Sequence, residues 1–84
     1  MEEKGSNTYL LEAKDTRLGR LEIYVHMETG VFLVLLDRKD HFIPLWIDKS
    51  EDYAFFYFDV FQIAARNKLI KKLTNIQTGD IIYL

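Results

Sequence analysis

Residues 41 to 61, HFIPLWIDKSEDYAFFYFDVF, constrain this chain more than any other stretch, because a strand-like run stops at Asp48 and an apolar helix follows at once. Pro44 carries no N–H for a ladder, which predicts an edge strand or a bulge at that point. Asp48 stands before Glu51 at the D-x-x-E spacing of a capping box, Ser50 competes as N-cap, and Asp52 suits the positive end of the helix dipole. The helix is therefore expected to start between residues 49 and 51. At about 100° per residue, Val60, Tyr53, Ala64, Tyr57, Phe61, Ala54, Ala65 and Phe58 share one broad arc, opposite Glu51, Gln62, Arg66, Asp59 and Asp52. Phe55 falls in the middle of the polar arc, with Phe56 and Ile63 at its edge. A helix that serves a single sheet does not need an aromatic there.

The chain before this segment reads as sheet. Residues 1 to 7 form a short polar tail, and TYLLEA, residues 8 to 13, is a first strand leading to a hairpin connection at Asp15 and Gly19. In RLEIYVHM, Leu21, Ile23, Val25 and Met27 alternate with Glu22, Tyr24, His26 and Glu28, the pattern of a strand with one buried and one wet face. A turn at Glu28 to Gly30 leads into VFLVLLD, apolar on both faces as a central strand would be. After Arg66, KLIKKLTNI continues a helical pattern through Leu69, Leu73 and Ile76 up to Gly79, and IIYL closes as a strand. The expectation is an α+β domain over residues 8 to 84, in the order β-β-β-β-α-α-β, a largely antiparallel sheet with two helices packed on one face.

Composition bounds the function. Apolar residues make up 49% of the 84-residue chain, enough for a real core, yet a domain of this size buries only about 60% of its unfolded surface, which favours a partner subunit. With no cysteine there is no thiolate metal site. No run reaches the length of a membrane span and the N-terminus is acidic, so the expected location is cytoplasmic, with no membrane partner. A net charge of −2 gives no whole-chain attraction to nucleic acid.

Local clusters are the remaining candidates. Asp37, Asp40 and His41 gather in one turn, and Asp48, Glu51 and Asp52 at the strand-to-helix junction. Either could hold Mg2+ or Mn2+ through carboxylate oxygens, but a solvated turn and helix capping account for the same residues without a metal. His26, on the wet face near Glu22 and Glu28, reads as a surface histidine. Arg66, Lys68, Lys71 and Lys72 form a basic stripe with no acid between Asp59 and Asp80, suited to phosphate contact or simply to solvent. Strict alternation places Trp46 on one face with Phe42 and Pro44, and Ile43, Leu45 and Ile47 on the other. With Phe55, Phe42 and Trp46 are the expected partner-binding residues.

The same stretch resembles the bifunctional nuclease domain family, whose members carry an apolar strand, a charged turn, a Leu-Pro-Ile-Trp-Ile-Gly signature and an acidic residue opening an alanine-rich helix. Ile43, Pro44, Leu45, Trp46 and Ile47 match the signature, Asp48 replaces its glycine, and Glu51 falls near the acidic position. Where the family continues with Arg-Pro-x-Thr-His-Asp-Leu, Arg66 is followed by Asn67, Lys68, Leu69, Ile70 and Lys71, without the Thr, His and Asp. The resemblance implies a related fold. The expected function is a non-catalytic, homodimeric interaction module needing no cofactor, with nucleic acid a possible partner through Arg66, Lys68, Lys71 and Lys72. The alternative is a nuclease that holds Mg2+ or Mn2+ on Asp48, Glu51 and Asp52.

Overall fold

Successive hairpins lay the first half of the chain out as an antiparallel meander: β1 (Glu2–Glu3), β2 (Thr8–Thr16), β3 (Gly19–His26), β4 (Val31–Arg38) and β5 (His41–Asp48), paired in chain order. One helix, α1 (Glu51–Arg66), lies across this sheet, and β6 (Lys72–Thr74) and β7 (Ile81–Tyr83) form a separate two-stranded ribbon. The computed structural model describes residues 2–3, 7–39 and 41–84. Within the expected N-terminal tail, Glu2 and Glu3 pair with Leu10 and Tyr9, and residues 1 and 4 to 6 lie outside the described residues.

The core forms where the helix meets the sheet. Leu21 and Ile23 of β3, Val34 and Leu36 of β4, and Ile43 and Leu45 of β5 pack against Ala54, Phe58, Phe61 and Ala65 of α1. Ala54 and Ala65 are fully buried, and their small side chains let the helix backbone approach the strands on either side of Phe58. Leu18 and Leu73 close the two ends of this cluster.

The other sheet face is not uniformly wet. Glu22 is only 6% exposed: its carboxylate accepts from the Tyr24 hydroxyl at 3.0 Å and pairs with Arg20 Nε at 3.1 Å. Tyr24 and Leu35 are also buried there, since neighbouring side chains cover the middle strands. A buried carboxylate with two partners is satisfied, so the alternation rule assigned this face the right residues and the wrong solvent exposure.

Two features of β5 follow from Pro44. The strand is an edge of the large sheet, and its pairing with β4 slips between Leu35↔Pro44 and Val34↔Trp46, leaving Leu45 as an extra residue. The bulge breaks the expected alternation: Trp46 is moved to the helix side with Ile43 and Leu45, whereas Phe42, Pro44 and Ile47 share the opposite face. The Pro44 carbonyl accepts from Ile76 N at 3.0 Å and so ties the ribbon to this edge.

The second helix does not form. Asn67 caps α1, Lys68 takes a left-handed conformation at φ 59°, and the amides of Lys68 and Leu69 return to the carbonyls of Ala65 and Ala64. These two bonds make a Schellman closure with lysine where glycine is usual. Leu73 is then buried between exposed Lys72 and Thr74, a strand's period of two, and the final strand pairs with β6 rather than joining the sheet.

Candidate functional site

The helix has more apolar surface than the sheet covers. Ala54, Phe58, Phe61 and Ala65 face the core, while Tyr53, Phe56, Val60 and Ile63 form a second apolar stripe facing solvent. Their exposures are 67%, 68%, 43% and 49%, and Trp46, delivered to the same side by the bulge, is 41% exposed. Tyr57 joins the stripe to the strand, its ring stacked on Trp46 at 5.1 Å and against Phe61 at 6.3 Å. Trp46, Tyr53, Phe56, Tyr57 and Val60 line a groove of about 400 Å3 whose walls are almost wholly apolar. Taking about 200 Å2 for a fully exposed large side chain, Trp46, Tyr53, Phe56, Val60 and Ile63 present on the order of 500 Å2, near the upper end of what monomers expose.

The junction holds the groove's rim in place. Ser50 is the N-cap, its Oγ accepting from Tyr53 N at 3.3 Å, while Asp48 accepts from Ser50 N at 2.8 Å and from Trp46 Nε1 at 3.3 Å. One carboxylate thus shapes the turn into the helix and orients the indole. Burial raises the Tyr57 phenol above its ordinary value of 10.0, so the ring enters the groove neutral.

The expected site residues are distributed differently from the sequence pattern. Glu51 and Asp52 are exposed in the first helical turn, and among the described residues no group of three or more His, Asp or Glu is placed to hold a metal ion. Asp40 lies outside the described residues, and His26 meets Thr29 Oγ1 at 3.1 Å. Phe55 is half-buried, with its ring edge-on to Phe58 at 6.1 Å, and packs on the core from the polar side of the helix. Phe42, 47% exposed, is on the opposite sheet face from Trp46. Arg66 ends the helix, Lys68 is in the closing turn and Lys72 is on β6 opposite Tyr83, so the expected helical stripe of lysines is absent.

Phe56, Tyr53, Val60 and Ile63 are the residues that sequence reasoning did not single out. Their signal was the width of the apolar arc, broader than one sheet can cover. No family model, no curated protein and no solved structure matches the chain.

Proposed function

We propose that the protein is a non-catalytic interaction module that pairs with a second copy of itself through the outer stripe of α1. The observation that carries this reading is the continuous run Tyr53, Phe56, Val60 and Ile63 beside Trp46, apolar and exposed at helical spacing. A stable interface of standard size takes about 800 Å2 from each partner, and this stripe supplies more than half of that as a central apolar patch.

Charge favours a second copy as the occupant. Glu51 and Asp52 occupy the first turn of α1, and Arg66 and Lys68 its end. Two such helices packed antiparallel about a two-fold axis set the acidic end of each against the basic end of the other, with their dipoles opposed. Aromatic anchors in the middle and charges at the rim are the usual division of labour in a specific interface.

The lack of native cysteine makes the pairing testable by a single introduced thiol. Val60→Cys, within the stripe, is expected to give a covalent dimer with a short bis-maleimide, whereas Lys14→Cys, exposed on β2, should remain largely monomeric. Equal yields from the two positions would argue against pairing through this helix.

A further inference from the structure

At the far end of the sheet, the turns that end β2 and β4 enclose a second cavity, of about 560 Å3, unrelated to the helix stripe. Its lining includes the side chains of Arg17, Arg38, Lys39 and His41 around Leu18, Ile43 and Ile82. We propose that this cavity binds a small phosphorylated molecule, with the phosphoryl group held by Arg17, Arg38 and Lys39 and an apolar or planar body resting on Leu18, Ile43 and Ile82.

Charge is the first argument. The chain as a whole carries −2, yet three permanent cations and a histidine line this one cavity, with Asp37 as the acid among them. Counting the sequence neighbour Asp40 as well still leaves an excess of positive charge. Among the described residues, Arg38, Lys39 and His41 make no ion pair or side-chain hydrogen bond. Cations collected without acidic partners repel one another, an arrangement that a bound anion relieves.

The second argument is that the cavity is built. Thr16 Oγ1 bridges Gly19 O at 2.7 Å and the Leu18 amide at 3.1 Å, fixing the β2–β3 turn. A Cβ at Gly19 would lie 2.4 Å from the Asp37 carbonyl oxygen, so glycine lets this turn close onto Asp37 and Arg38 and bring Arg17 to the same cavity. Arg17 is held from behind, its Nε donating to the Ala65 carbonyl at 3.1 Å, which leaves the terminal nitrogens of the fork for a ligand. Leu18 and Ile43 are 8% and 4% exposed, so the floor is part of the core and excludes water from one side. The volume is that of a small-molecule site, and a basic rim over an apolar floor suits a ligand with a charged end and an uncharged body.

The test is calorimetric titration of the intact chain at low salt with inorganic phosphate, pyrophosphate, AMP and adenosine. AMP is expected to bind more tightly than phosphate, adenosine not at all, and affinity to fall as salt is added. Saturable binding of phosphate or pyrophosphate as tight as that of AMP would retain the phosphoryl assignment and overturn the part given to Leu18, Ile43 and Ile82. Arg38→Gln with Lys39→Gln should weaken AMP binding at least about tenfold while the circular dichroism spectrum is unchanged. Adenosine binding equal to that of AMP, undiminished binding by the double variant, or no heat from any phosphate at about 10 mM ligand would each overturn the proposal.

Discussion

Trp46 and Tyr57 show how much of this protein turns on single side chains. One extra residue in β5 moves the indole across the sheet, where it stacks on Tyr57 and donates to Asp48. The stacked pair walls the groove and buries the phenol. Because the folded Tyr57 holds its proton above the ordinary value, its contribution to stability is present below pH about 10 and lost as pH rises through the folded value. Tyr57→Phe keeps the ring and removes the ionisation, so its urea midpoint should decline less than that of the wild type between about pH 9.5 and 11.5. Equal declines would mean that the phenol ionises as freely in the folded protein as in the unfolded chain.

At the scale of elements, the strand-to-helix junction is governed by capping. Ser50→Ala removes the acceptor for Tyr53 N and is expected to cost about 1 kcal/mol, or roughly 4–8 °C in the melting temperature of a domain this small. An unchanged melting temperature would shift the cap to Asp48. The central strands were legible because Leu21, Ile23 and Val25 alternate and the residues from Val31 to Leu36 are apolar throughout. Pro44 announced an irregular edge but not which residue would be extra, since a bulge is settled by register against the neighbouring strand. The end of α1 gave less warning: Lys68 adopts the left-handed conformation that glycine usually supplies, so the helical spacing of Leu69, Leu73 and Ile76 continued across a real stop. The width of the apolar arc on α1 was visible in the sequence. Which part of it would meet the sheet was not, because that depends on the helix rotation set by Ala54, Phe58 and Ala65.

For the molecule as a whole, the helix has two apolar faces and the chain's own sheet covers one. Phe55, expected as a contact residue, belongs to the covered side, and Phe56 next to it is the exposed one. The two positions therefore separate folding from assembly. Phe56→Glu should leave the fold intact and weaken self-association by at least about 2 kcal/mol, some thirtyfold. The most direct measurement is sedimentation equilibrium of the wild type and Phe56→Glu up to about 200 μM. Pairing through the stripe predicts a wild-type mass approaching twice the 10.0 kDa of the chain and a variant that stays at the single-chain mass. A wild type that remains monomeric throughout, or a variant that dimerises equally well, would contradict it.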